Sequence, residues 1–115
     1  MNPTYDEILK ANSLRGNEIK KTPLIHSPTF SDLTNSEVYL KAEFRQKTGS
    51  FKIRGAYYKI KSLSEEDKKF GVVAASAGNH AQGVALASSL ENISCTIVMP
   101  KNASPAKVAA TRGYG

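Results

Sequence analysis

A chain of 115 residues is long enough for one small domain with a single hydrophobic core. Its content of 40% hydrophobic and 23% charged residues excludes the disordered and fibrous classes. No apolar run approaches the ~20 residues of a membrane-spanning helix, and the N-terminus lacks a signal pattern. We therefore expect a cytoplasmic protein that makes no contact with a membrane.

The positive charge is not arranged for nucleic acid, although the net charge is +6. Lysines are scattered, the only doublets are at residues 20–21 and 68–69, and none alternates with aromatic side chains. We expect no nucleic-acid partner, and a basic chain suits an anionic small molecule. The single cysteine, Cys95, lies in an apolar run and is predicted to be a buried core residue. Together with His26 and His80 it has no metal-ligand spacing, so we expect no metal.

The first half of the chain predicts short elements. Residues 4–7 form a capping box that predicts a helix over about 5–17. An extended segment at 22–26 follows, and then a helical turn that is entered through Pro28. The alternating residues 37–43 predict a strand.

The second half alternates helices and strands. In chain order the pattern predicts a helix from Ile53, a helix beginning near Ser64, a strand at 70–75, a helix at 81–90, a strand at 94–99 and a helix that starts at Ser104-Pro105 and stops at Gly113. This βαβα order predicts an α/β fold with a parallel sheet in a three-layer α/β/α arrangement. Ligands bind beyond the carboxyl ends of such strands, where the loop 76–80 lies.

The loop 76–80, Ser-Ala-Gly-Asn-His, is a candidate anion site. Its glycine allows close approach to a ligand, and the free amides of the following helix favour a carboxylate or a phosphate. The alternative is that these residues only cap the helix. Gly78 and Gly83 have the spacing of a phosphate-binding P-loop, but Val84 stands where that motif needs lysine.

The segment Thr-Gly-Ser-Phe-Lys-Ile-Arg-Gly at 48–55 places Lys52 at a helix start. A lysine that attacks a carbonyl must be neutral, which requires desolvation or a neighbouring positive charge. Phe51 could supply an apolar surface for desolvation, and Arg54 could supply the neighbouring positive charge. The alternative is a solvated lysine. Because Lys52 and the loop 76–80 both begin predicted helices, they could converge on one crevice, with the parts that a pyridoxal phosphate site requires.

Six segments, in order and with similar gaps, closely resemble the N-terminal part of the threonine dehydratase (threonine ammonia-lyase) family: residues 22–24, 38–43, 46–56, 74–83, 96–100 and 107–115. This family and the serine racemases are pyridoxal phosphate enzymes of the tryptophan-synthase-β-like group, fold type II. The resemblance implies that residues 1–50 belong partly to a large domain and residues 51–115 begin a small lobe, with the C-terminal remainder absent. It also implies a homo-oligomer when complete.

The resemblance implies roles for the candidate residues. Lys52 is the residue that bonds pyridoxal 5'-phosphate and removes the Cα proton of an amino-acid substrate. Phe51 lies against the cofactor ring, and Asn79 hydrogen-bonds the ring hydroxyl. The substrate carboxylate is held by Ser76, Ala77, Gly78, Asn79 and His80. From the residues alone, His80 more often makes structural hydrogen bonds at a helix start than transfers a proton.

The implied reaction is dehydration and deamination of L-threonine and L-serine to a 2-oxo acid and ammonia. Serine racemases resemble this sequence too, but carry a serine where this chain has Ala77. Without that second proton donor, dehydration is favoured over racemisation. A non-catalytic truncated product is the other alternative. No candidate for the cofactor's phosphate loop occurs here, so we expect no turnover by residues 1–115 alone.

Overall fold

The computed structural model describes residues 2–115. In chain order its elements are α1 (Tyr5–Ser13), β1 (Leu24–His26), α2 (Pro28–Thr34), β2 (Tyr39–Lys41), a 3₁₀ helix (Glu43–Arg45), α3 (Lys52–Lys61), α4 (Glu65–Phe70), β3 (Val72–Ala75), α5 (Asn79–Leu90), β4 (Cys95–Val98) and α6 (Pro105–Arg112). None of the helices within residues 2–115 combines the length and apolarity that crossing a bilayer requires.

Helix α1 starts as predicted and ends early. The Thr4 hydroxyl accepts the Glu7 N–H, and the Glu7 carboxylate accepts the Thr4 N–H at 2.7 Å, so the capping box is confirmed. The helix ends at Ser13 rather than near residue 17. Gly16 adopts a left-handed φ of 54° within the turn at residues 14–18 that follows the helix.

Strands β1 and β2 form an antiparallel pair in which Leu24 lies opposite Lys41. Between them, α2 is capped by Ser27, whose hydroxyl accepts the Phe30 N–H. Strand β2 is shorter than the predicted 37–43, because the backbone turns at Ala42 into the 3₁₀ helix.

Strands β3 and β4 are parallel, with Val72 opposite Cys95, and α5 connects them. The α/β prediction is therefore confirmed. Every second residue faces the helices, whereas Val73 is 75% and Val98 54% exposed on the opposite face. Within residues 2–115 the helices thus cover one face of this sheet.

Strand β3 begins two residues later than predicted. The charged run before it continues α4 through Phe70, which is exposed. Gly71 then adopts a φ of 75° and a ψ of −171°, a conformation that essentially only glycine adopts, and so separates helix from strand.

The hydrophobic core lies between α3, α5 and the sheet. Its buried members are Ile19, Ile53, Ala56, Tyr57, Ile60, Val84, Ala87 and Ile93. Residues 2–50 contribute only Ile19 to this cluster. Cys95 packs against the core, as predicted, but it is only partly buried rather than buried. Cys95 faces the helices as the first residue of β4, but it also lines a cavity beside α6, which leaves part of its surface open.

Candidate active site

Lys52 is the first residue of α3, and its side chain is exposed. Gly49, with a φ of 68°, turns the chain just before it, and the next residue, Ile53, is fully buried and anchors the helix. The Lys52 ammonium lies 5.2 Å from the centroid of the Phe51 ring. Phe51 is 58% exposed, so an amine and an aromatic face stand together at the surface.

The loop 76–80 follows the carboxyl end of β3. The Ser76 N–H donates to the Val98 carbonyl at 3.0 Å, and the Ser76 hydroxyl accepts the Gly78 N–H at 3.2 Å. Gly78 is the N-cap of α5 and offers no capping side chain. The first amides of α5 are therefore left for an anion, in a position that the helix dipole also favours. Asn79 and His80 begin this helix and are exposed, while Ala77 is partly buried.

Gly83 brings the starts of the two helices together. A β-carbon at this position would lie 3.1 Å from the Lys52 carbonyl carbon and 3.2 Å from the Ile53 nitrogen. Asn79 precedes Gly83 by four residues, about 6 Å along the helix axis. The start of α3 thus lies against the first turns of α5, and the convergence of Lys52 and the loop 76–80 on one crevice stays a prediction.

Arg54 does not supply a free positive charge beside Lys52, contrary to the sequence-based expectation. Its guanidinium binds the Glu43 carboxylate through two hydrogen bonds of 2.9 and 2.7 Å, and it also donates to the Thr22 hydroxyl and the Lys20 carbonyl. Chiefly through these hydrogen bonds, Arg54 lowers the pKa of Glu43. The charge of Arg54 is therefore compensated. Its role here is to tie the preceding segments to α3, two residues after Lys52.

His80 lines a cavity of about 340 Å³ between α3, β3 and α5. Apart from Lys59 and His80 its lining is glycine and apolar side chains, and neither Lys52 nor Asn79 belongs to it. The structure therefore places His80 beside a cavity separate from the Lys52 amine. Within residues 2–115, no three His, Cys, Asp or Glu side chains form a metal-binding group.

Two features of the site were not predicted. The first is the close packing of α5 against α3 at Gly83. A glycine inside a helix costs about 1 kcal/mol relative to alanine, so its presence there was a signal that close packing requires it. The second is Thr48, whose buried hydroxyl oxygen has no hydrogen-bond partner within residues 2–115. No sequence signal distinguishes that threonine from an ordinary turn residue.

These features fit pyridoxal phosphate. The cofactor is an aromatic aldehyde, and the exposed Lys52 amine is accessible to an aldehyde carbon while the exposed Phe51 ring offers an apolar face. The uncapped start of α5 can bind an anionic group.

Comparisons with known proteins agree with this fit. Residues 16–115 match the family described as pyridoxal-phosphate dependent enzyme. The L-threonine ammonia-lyase of Thermotoga maritima is 54% identical over 112 residues, which cover 97% of this chain and 28% of that protein. The L-threo-3-hydroxyaspartate ammonia-lyase of Saccharomyces cerevisiae is 44% identical over 113 residues, which cover 98% of this chain and 35% of that protein.

A solved structure shows the same fold. The serine racemase of Dictyostelium discoideum superposes with a TM-score of 0.92 at 42% identity, covering 97% of this chain and 37% of that one. The chain thus spans about a third of the length of these relatives. Its fold is that of the tryptophan-synthase-β-like, fold type II enzymes, as expected. The chain belongs to the family of pyridoxal-phosphate dependent enzymes.

Proposed function

We propose that this chain carries the cofactor-binding lysine of an enzyme that dehydrates and deaminates L-threonine and L-serine to a 2-oxo acid and ammonia. The observation that carries the proposal is the accessible Lys52 amine beside the uncapped start of α5. Because the chain spans about a third of its relatives, the complete reaction needs residues beyond those described here.

The substrate class follows from what the relatives have in common. Threonine, threo-3-hydroxyaspartate and serine, which appear in the names of the three proteins compared above, are all α-amino acids with a β-hydroxyl group. Loss of a Cα proton and of that hydroxyl removes one water from each. The step that this chain must assist is therefore removal of the Cα proton, with the β-hydroxyl group positioned to leave.

Each site residue has a part in this step. When bound, pyridoxal phosphate supplies an electron sink for the negative charge that develops at Cα. Lys52 Nζ would hold the cofactor through a covalent bond, and the same Nζ, when free, would accept the Cα proton of the substrate. The loop 76–80 holds the substrate carboxylate through backbone amides, which orients the Cα–H bond towards Lys52. Phe51 would lie against the cofactor ring and keep water from it, and Asn79 would hydrogen-bond its hydroxyl group.

Serine racemase activity is the second candidate, and the similarity to a solved serine racemase favours keeping it. Racemisation requires a proton donor on the face opposite Lys52. The methyl group of Ala77 carries no such proton, which supports dehydration. Formation of D-serine from L-serine by a chain with Ala77 would reverse this choice.

A labelling experiment tests the role of Lys52. The protein is mixed with pyridoxal phosphate, reduced with borohydride, and the adduct is located by peptide mass. We expect one dominant adduct on Lys52 that is lost in Lys52→Ala and kept in Lys59→Ala, an exposed lysine of the same helix. Labelling of the complete enzyme that spreads over many lysines would contradict the proposal. In the complete enzyme, Lys52→Ala abolishes 2-oxo acid formation from L-threonine.

We also propose that residues 1–50 belong partly to a large domain and residues 51–115 to a small lobe, since Ile19 is the only one of residues 2–50 that joins the core. The complete protein is a cytoplasmic homo-oligomer of amino-acid metabolism, including isoleucine biosynthesis, that acts on a small amino-acid substrate and not on nucleic acid or membranes. Light scattering on the complete protein tests the oligomeric state. Growth of a deletion strain in medium without isoleucine tests the role in isoleucine biosynthesis.

A further inference from the structure

A second cavity, of about 240 Å³, lies between the end of α1, the segment before β1, strand β2 and helix α3. We call it the basic cavity, and it is lined by Asn12, Arg15, Lys21, Lys41 and Arg54. Neither Lys52 nor the loop 76–80 belongs to this lining, so the cavity is separate from the candidate active site.

The positive charge of the basic cavity is mostly uncompensated. Arg54 is paired with Glu43 at 2.7 Å, and the same carboxylate also attracts Lys41, so that one negative charge offsets one of the four positive charges. Arg15 donates to the Ile19 carbonyl at 3.2 Å and Lys41 to the Thr22 carbonyl at 2.5 Å. Carbonyl oxygens satisfy donors but cancel no net charge.

Lys21 adds a third uncompensated cation. Its side chain is exposed, and within residues 2–115 its ammonium has no hydrogen-bond or ion-pair partner. The guanidinium of Arg15 has five N–H groups and the ammonium of Lys41 has three, so each keeps donors beyond the single hydrogen bond described above. The amide of Asn12 adds a further donor to the same cavity wall.

We propose that the basic cavity binds a small multivalent anion, such as a phosphate-bearing or polycarboxylate metabolite. Three like charges around one cavity repel one another, and an anion of charge −2 or −3 removes that repulsion while it accepts the remaining N–H groups. Arg15 supplies the planar guanidinium that suits phosphate or carboxylate oxygens, and Lys21 and Lys41 supply point charges.

Titration calorimetry at low ionic strength, with inorganic pyrophosphate and with citrate as probes, tests the site. We expect saturable binding with one anion per chain. Lys21→Gln leaves all hydrogen bonds described here intact and weakens binding about threefold, and Arg15→Gln with Lys21→Gln weakens it about tenfold or more. Lys101→Gln with Lys107→Gln makes the same change in net charge on exposed residues elsewhere and leaves binding within about twofold of the parent chain.

Tighter binding of pyrophosphate identifies a phosphate-bearing ligand, and tighter binding of citrate identifies a polycarboxylate. Both results support the proposal. Equal weakening by the two double variants would show that only the net charge attracts the anion, and would overturn it. Absence of saturable binding to the parent chain would overturn it as well. Because Lys21 holds no other group in place, its single substitution keeps the test valid even if Arg15→Gln disturbs the turn at Ile19.

Discussion

Replacing Gly83 by alanine tests the close approach of α5 to α3 at Lys52. A β-carbon at Gly83 would meet backbone atoms of Lys52 and Ile53 at 3.1 to 3.3 Å, where ordinary contact begins at 3.4 Å. The start of α3 must therefore retreat by a few tenths of an ångström, and the atoms that meet the methyl group are main-chain atoms rather than a flexible side chain.

The magnitude follows from two opposing effects. Overpacking of this kind costs about 1–3 kcal/mol, whereas alanine gains about 1 kcal/mol over glycine in a helix interior. Gly55 is the matched control, since it lies inside α3 and a β-carbon there meets no atom within 4 Å. Gly55→Ala therefore gains the same helix propensity as Gly83→Ala but creates no close contact. The two variants should therefore differ in free energy of unfolding by the overpacking cost alone, about 1–3 kcal/mol.

Urea denaturation followed by far-UV circular dichroism measures this difference. With a slope of about 2 kcal/mol per molar urea, the midpoint of Gly83→Ala should fall about 0.5–1.5 M below that of Gly55→Ala. Borohydride labelling with pyridoxal phosphate should also decrease in Gly83→Ala and persist in Gly55→Ala. Equal midpoints would refute the packing argument, because they would mean that α5 does not lie against the backbone of Lys52.

Three further substitutions have definite expected outcomes. Ile53→Ala removes a fully buried side chain and should lower the unfolding free energy by about 2–5 kcal/mol in the same urea assay. Gly71→Ala should lower the thermal midpoint more than Gly55→Ala does, because φ is 75° and the new β-carbon would lie 2.7 Å from the Ser94 carbonyl oxygen. The pKa of Glu43 lies below its ordinary 4.5, so its pairing with Arg54 stabilises the fold above that pH and is lost as the pH falls through the lowered value. Glu43→Gln should therefore cost about 2 kcal/mol at pH 7 and flatten the decline in stability measured below pH 4.5.

Features with a local cause were predictable from the sequence. The capping box at Thr4 and the proline-entered helix α2 depend on residues near one another, and the parallel pairing of β3 and β4 follows from the strand–helix–strand order. All three were confirmed. The placement of Lys52 and of the loop 76–80 at helix starts was predicted for the same reason. The identity of the cofactor was inferred from the resemblance to a known family, because residue spacing alone does not determine it.

Features that depend on distant partners were not predictable in this way. Arg54 is committed to Glu43, Thr22 and Lys20, which reach it only in the folded chain. The apolar Phe70 looked like the beginning of a strand, although the charged helix before it continues through it. Hydrophobic periodicity reports neither outcome. The partners of Arg54 come from distant segments, whereas Phe70 is 85% exposed and continues the helix before it.

Residues 2–50 contribute much less to the hydrophobic core than the rest of the chain does, and this difference affects local unfolding. Only Ile19 of residues 2–50 joins the buried cluster, and polar contacts such as Gln46 with Lys20 and Lys47 with Glu18 hold the rest of that segment. Amide hydrogens of β1 and β2 should therefore exchange with solvent through local opening, faster at high salt, because salt screens the charged contacts. Those of α3 and α5 should exchange only when the whole domain unfolds. Exchange rates along the chain would then change sharply between β2 and α3.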